Sequence, residues 1–285
     1  MAAFMRIGFH MSICGSIDRA VDRALEIGCN TLQIFTRNPR GWIARPLRND
    51  EVEAFILKVE RNDVRPVFSH MPYLPNLASP KNDVYAKSVE ALIVEMDRCE
   101  RLKVPYLVTH LGSHLGYGAK RGLERIVRAI DKAFSAVGGR VTLLLENTAG
   151  TRNSVGGRFE DLQYIIERTS YPDRIGICFD TCHAFAAGYD LRTEEKIEEV
   201  IGKIESTVGF ERLKLVHLND SRGGLNSHID RHEHIGLGKI GEEGFRSILR
   251  SRFARLPLIL ETPRNGVRSD LDNLLKVKEI AGVKP

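Results

Sequence analysis

The feature that most constrains this chain is a rhythm. Short runs of β-branched and other apolar residues alternate, from one end to the other, with longer segments of helical periodicity. The runs fall at 6–10, 31–36, 66–70, 106–112, 141–148, 175–183, 213–220 and 257–262. The helical segments fall at 16–27, 50–61, 83–102, 123–136, 158–168, 193–208, 242–251 and 269–280. Ser16, Asp50 and Ser269 are suited to cap helix N-termini, and Gly28 to end the first helix. Eight β units, each followed by an α unit, predict a parallel sheet closed on itself, a (β/α)8 barrel. No Pro, Ser or Gly-rich linker divides the 285 residues, so residues 1–285 are expected to form a single domain. An open doubly wound sheet is the alternative. It would more naturally carry GxGxxG after the first strand, and that motif is absent there.

Composition narrows the class. A chain that is 42% hydrophobic and 28% charged can bury a large core and is not disordered. The longest apolar runs, such as 141–145, are far too short to span a bilayer, and residues 1–15 lack the apolar stretch of a secretory signal. The expectation is a cytoplasmic protein with no membrane partner. Cys14, Cys29, Cys99, Cys178 and Cys182 form no CxxC pair and are expected as small buried apolar residues. A formal net charge of +5 is compatible with a polyanionic partner without establishing one. No long exposed apolar stripe demands a dimer, so a monomer is expected.

Barrels of this kind do their chemistry at the C-terminal ends of their strands. Here the runs end VFSH at His70, LVTH at His110, LLLE at Glu146 and LILE at Glu261. ICFDTCH supplies Asp180 and His183, LVHLND supplies His217, and a following stretch adds Asp230 and His232. A single histidine or acid at a strand end is ordinary. Several on one rim are costly to bury unless cations between them compensate the charge. Imidazole with carboxylate suits zinc, with manganese or iron as substitutes. Nine donors exceed the needs of one ion and suit two or three. Paired ions about 3.5–4 Å apart are the usual apparatus for in-line phosphoryl displacement.

GICFDTCH at 176–183 and HLNDSRGGLNSHIDRHEHIGLGKIG at 217–241 closely resemble signature segments of the endonuclease IV family, the metal-dependent apurinic/apyrimidinic (AP) endonucleases of base-excision repair. FTRNPRGW at 35–42, HLGSH at 110–114 and ENTAG at 146–150 extend the resemblance over almost the whole chain. It implies a xylose-isomerase-like TIM barrel holding three Zn2+ ions. His70, His110 and Glu146 would hold the first. Glu146 would bridge to a second, also held by Asp180, His217 and Glu261. His183, Asp230 and His232 would hold the third. The implied substrate is double-stranded DNA with abasic sites or blocked 3′ ends. Cleavage 5′ to the abasic site would leave a 3′-hydroxyl and a 5′-deoxyribose phosphate. The segment after His70 departs from the family pattern at Pro72 and Pro75.

Glu261 and Glu146 could also orient or deprotonate the attacking water, giving them a catalytic role beside their role as ligands. Contact with DNA is expected from rim loops: Arg37, Asn38, Arg40 and Trp42 after the second run, Tyr73 and Leu74 with Met71 after the third, and Arg231 between two ligands. His10 ends the first run and could support a ligand, but like the other remaining histidines it is expected first as a hydrogen-bonded residue. His114, His228 and His234 are expected as hydrogen-bonded structural residues, and GLGKIG at 236–241 as a turn into the following helix. A sugar isomerase or epimerase on a related barrel would need only Glu146, Asp180, His217 and Glu261 around one ion. It would leave the other five candidates and the Arg/Trp loop without a purpose. A non-catalytic damage binder with a structural metal site is the third reading.

Overall fold

The computed structural model describes residues 5–283. In chain order the elements are β1 (Ile7–Met11), α1 (Arg19–Glu26), β2 (Leu32–Ile34), α2 (Asn49–Arg61), β3 (Val67–His70), α3 (Asn82–Leu102), β4 (Tyr106–Thr109), α4 (Ala119–Ala136), β5 (Thr142–Glu146) and α5 (Phe159–Arg168). There follow β6 (Ile175–Asp180), α6 (Thr181–Ala186), α7 (Glu194–Thr207), β7 (Leu213–His217), β8 (Asp220–Ser221), β9 (His232–Glu233), α8 (Gly241–Arg250), β10 (Leu258–Leu260) and α9 (Asp270–Ile280). The strands β1 to β7 and β10 close into a parallel barrel, with β1 paired to both β2 and β10. The closed parallel barrel is therefore as the alternation predicts. No helix among the described residues is long and apolar enough to cross a membrane.

The outer core lies between strands and helices. In α3, Val89, Leu92, Met96 and Cys99 are buried at helical spacing, the stripe expected of a helix laid on a sheet. A second, smaller core fills the barrel itself: Phe68, Val108, Leu144, Cys178, Leu215 and Ile259, all 0% exposed. These six sit on six consecutive barrel strands. Side chains alternate with period two, so the residue two positions further along each chain returns to the interior. Those residues are His70, His110, Glu146, Asp180, His217 and Glu261. Tight spacing of β1 against β2 requires Gly8, because a Cβ there would stand 1.9 Å from the Thr31 carbonyl oxygen.

Several local expectations are corrected. Helix α1 starts at Arg19, not Ser16. The Ser16 hydroxyl donates to Asp18, whose other oxygen accepts from Lys58. Asp50 lies inside the first turn of α2, with Arg48 at the N-cap. Helix α4 begins at Ala119, four residues before its first large apolar residue, because its opening residues Ala119 to Arg121 are exposed and leave no periodic trace. Ser269 does cap α9, accepting from the Asp272 amide, and Gly28 follows α1 at a φ of 81°. Cys14 is exposed; the other four cysteines are buried.

Candidate metal centre

Two departures from simple strands build the mouth of the barrel. The run 175–183 is not one strand. It breaks at Asp180, whose Oδ1 accepts from the His183 amide at 2.7 Å and so caps the short helix α6. That turn brings His183 back beside the residue that caps it. The run 213–220 also breaks. Strand β8 pairs antiparallel with β9, and this ribbon folds His232, with Asp230 just ahead of it, over the mouth. Asp220 stabilises the return. Its carboxylate accepts from the amides of Gly236, Gly238 and Ile240, so GLGKIG does shape the turn before α8.

The nine candidate ligands form one unbroken set. Glu146 Oε2 lies 3.1 Å from His70 Nε2 and 3.4 Å from His110 Nε2. Glu146 Oε1 lies 3.0 Å from His217 Nδ1 and 3.5 Å from His183 Nδ1. Asp180 Oδ2 is 3.8 Å from His217 and 3.6 Å from His232, Glu261 Oε2 is 3.6 Å from His217, and Asp230 Oδ1 is 3.1 Å from His183. Donors about 2.0–2.1 Å from a tetrahedral cation stand about 3.3 Å apart. The observed separations bracket that value, so the donor set fits divalent cations as built.

The imidazoles are oriented for this. His70 Nδ1 donates to the Met71 carbonyl at 2.7 Å, His183 Nδ1 to the Asn147 carbonyl at 3.0 Å, and His232 Nδ1 to the Glu261 carbonyl at 3.0 Å. In the neutral ring each of these bonds leaves the lone pair on the other nitrogen, as a ligand must have. His232 Nε2 is buried without a hydrogen-bond partner, which is costly unless something binds it.

The acids and several of the imidazoles stabilise one another's charge. Burial opposes the His183 imidazolium, but Asp180, Asp230 and Glu146 overcome it and lift the pKa to about 10. Burial pushes Asp230 up, and His183 more than reverses this, bringing it to about 2. Glu146 and Glu261 resist burial in the same way: the surrounding histidines hold both well below the usual carboxylate range.

Other side chains fix the ligands in turn. Asn147 donates to the Asp180 carbonyl and accepts from the Asp180 amide. Asn219 donates to Asp180 Oδ2 at 2.8 Å and accepts from the Glu261 amide. Gln33 reaches His10, His217 and Glu261. The sequence reading assigned no role to these three residues. The two asparagines could have been noticed because they follow ligands closely, in ENT and HLND; nothing marked Gln33. His10 stands beside Glu261, 3.2 Å from Oε1. His114, His228 and His234 each have hydrogen-bond partners.

Above the ligands a cavity of about 1010 Å3 is lined by Arg40, Tyr73, Arg264 and the histidines, among others. Asn38, Arg40, Trp42, Tyr73, Leu74 and Arg231 are exposed on the rim. Arg37 is not. It is buried in an ion pair with Glu95 at 2.6 Å and also donates to the Gly41 carbonyl. The expectation that Arg37 holds a phosphate is therefore replaced by a role in pinning its own loop. Met71 is likewise buried rather than presented by its loop.

A family profile described as "Xylose isomerase-like TIM barrel" matches residues 21–279. A protein of Methanoculleus marisnigri named "Probable endonuclease 4" is 56% identical over 97% of this chain and 99% of its own length. The crystal structure of endonuclease IV from Thermus thermophilus superposes with a TM-score of 0.84 at 38% identity, covering 97% of this chain and 98% of that one. A D-tagatose 3-epimerase-like protein shares the fold alone, with a TM-score of 0.72 at 20% identity over 98% of this chain and 96% of that one. In sequence as well as in fold, the chain belongs to the endonuclease IV family.

Proposed function

We propose that this chain is a zinc-dependent AP endonuclease of base-excision repair. It would act as a cytoplasmic monomer on double-stranded DNA. It would hydrolyse the phosphodiester 5′ to an abasic site, leaving a 3′-hydroxyl and a 5′-deoxyribose phosphate, and would trim blocked 3′ ends. One observation carries the reading: Glu146 faces four imidazoles, two on each carboxylate oxygen, within a continuous set of nine donors. A one-ion isomerase has no use for five of the nine, and the endonuclease names of the relatives support the nuclease reading.

His70, His110 and Glu146 would hold one cation, Glu146 with Asp180, His217 and Glu261 a second, and His183, Asp230 and His232 a third. Bound cations supply Lewis acidity to the phosphate and a nucleophile at neutral pH. The chain's own contribution is orientation and charge. Glu261 keeps Oε2 toward His217 while Oε1 is tied to Gln33 and His10, which leaves it placed to steer a water. Arg40, Arg231 and Arg264 offer cations to the DNA backbone, and Trp42, Tyr73 and Leu74 offer surfaces that can enter the stack. An abasic sugar has no base to unstack, so exposing it costs less than exposing an intact nucleotide.

The test is incision of a duplex carrying one abasic analogue. Exhaustive chelation should abolish it, zinc should restore it, and the purified protein should hold two or three zinc ions per chain. Glu261→Gln should lose at least about a hundredfold in rate while its circular dichroism stays that of the parent. Undiminished cutting after chelation, or full activity in Glu261→Gln, would sink the reading. About one ion per chain would favour the isomerase.

A further inference from the structure

We propose that Gln33 is a positioning residue that sets two of the metal ligands, His217 and Glu261, in the form and orientation a cation requires. The inference rests on the metal-centre reading above and extends it to a residue outside the nine. Each of the eight barrel strands sends one polar residue to the mouth. Six are candidate ligands: His70, His110, Glu146, Asp180, His217 and Glu261. The other two are His10 on β1 and Gln33 on β2, adjacent in register. Gln33 is 0% exposed. A fully buried amide among charged side chains is expensive unless every polar atom is engaged. Its oxygen lies 2.8 Å from His217 Nε2, and its nitrogen lies 2.7 Å from Glu261 Oε1 and 2.9 Å from His10 Nδ1.

Chemistry fixes which way the amide points. Glu261 is an anion, so it must face the amide N–H groups; the opposite orientation would set two acceptors 2.7 Å apart. With the nitrogen on Glu261, the oxygen faces His217 and accepts its Nε2–H. In the neutral ring that proton leaves a lone pair on Nδ1, the atom that points at Glu146, Asp180 and Glu261. His217 in the other tautomer would present a hydrogen where a cation must sit. The same amide holds Glu261 Oε1, leaving Oε2 to face His217 and the metal position. His70, His183 and His232 have their outward nitrogens set by backbone carbonyls, which no side-chain substitution removes. At His217 the task falls to an exchangeable side chain.

The experiment compares the full-length protein with Gln33→Met, which keeps length and loses all three hydrogen bonds, and with Gln33→Glu. The glutamate keeps an acceptor for His217 and loses the donor to Glu261. Zinc per chain is measured after dialysis, zinc affinity by competition with a chelating dye, and kcat and KM on an abasic duplex. The melting temperature of the chelated proteins controls for folding. Because zinc takes the neutral His217 ring, in Gln33→Met the most weakly held zinc should bind about 10–100-fold less tightly, and kcat should fall with KM unchanged and recover in excess zinc. Gln33→Glu should fall between Gln33→Met and the parent. A purely structural role would lower the melting temperature and leave zinc affinity alone. Zinc affinity in Gln33→Met within about twofold of the parent overturns the proposal. If Gln33→Met does not fold, parental affinity in Gln33→Glu overturns it instead. A parent that retains no zinc overturns the metal-centre reading itself, and this proposal with it.

Discussion

Two sets of six side chains line the barrel interior and its mouth, one step apart along the same six strands and their ends. Phe68, Val108, Leu144, Cys178, Leu215 and Ile259 form the lower set, all 0% exposed. His70, His110, Glu146, Asp180, His217 and Glu261 form the upper set. Four of the upper six are nearly as buried as the lower ones. Burial does not separate the sets; compensation does. The lower set needs nothing but neighbours. The upper set is tolerable only because each acid faces imidazoles that carry protons or, in the proposed holoenzyme, share cations. Both arrangements follow from the same period of two, and the boundary between them is a single step along each strand.

The comparison breaks most visibly if a charge is moved down that step. Leu144→Asp places a carboxylate where Glu146 stands two residues later, but among apolar side chains only. It should cost at least about 4 kcal/mol of folding stability in urea titrations, or prevent folding. A loss under about 1 kcal/mol would show that the lower set also contains compensation, and the distinction would fail.

A smaller contrast of the same kind lies on the rim. Arg37 and Arg40 are three residues apart in one loop. Arg37→Ala removes the ion pair of the buried Glu95 carboxylate, leaving it Thr36 and the nearby Arg98, and should cost about 3 kcal/mol by the same titration. Arg40→Glu should change stability by no more than about 0.5 kcal/mol. It should instead weaken duplex binding and flatten its salt dependence, read by fluorescence anisotropy at several salt concentrations. Equal effects on stability would erase the difference between the two arginines.

The smallest effect concerns the proton on His183, which lies against Glu146 and Asp180 of the upper set. Burial opposes the charge on His183, but three neighbouring carboxylates raise its pKa to about 10. In the metal-free protein its ion pairs therefore contribute fully below the unfolded value, near 6.5, and that contribution is lost as the pH rises through about 10. Zinc requires the neutral ring, so binding must displace the proton. Zinc affinity should rise about tenfold per pH unit for each proton displaced, measured by chelator competition between pH 6.5 and 8. A pH-independent affinity would mean that His183 carries no proton for zinc to displace.

Much of this was legible in order. The barrel could be read because apolar runs and amphipathic helices carry periods of two and 3.6 in the sequence itself. Candidate ligands could be read because His70, His110, Glu146 and Glu261 interrupt apolar runs at their ends, where charge is conspicuous. Other features left weaker traces. The break at Asp180 is a choice between extending a strand and capping a helix, and it is settled by one hydrogen bond to the His183 amide. Gln33 in LQIF looks like the polar face of a half-buried strand, since alternation tells which residues share a face and not which face is inside. Arg37 and Arg40 are the same residue type in one aperiodic loop, and only the arrival of Glu95 from α3 assigns one of them to the interior.

By itself, then, the sequence determined the sheet, its helices and the kinds of atoms gathered at one end, because local periodicity and the cost of burying charge act within short stretches of chain. The tertiary structure alone decided which nitrogen of each ring is free, which amide orients it and which arginine meets solvent. Those outcomes depend on contacts between residues as distant as Gln33 and Glu261, which no local pattern records.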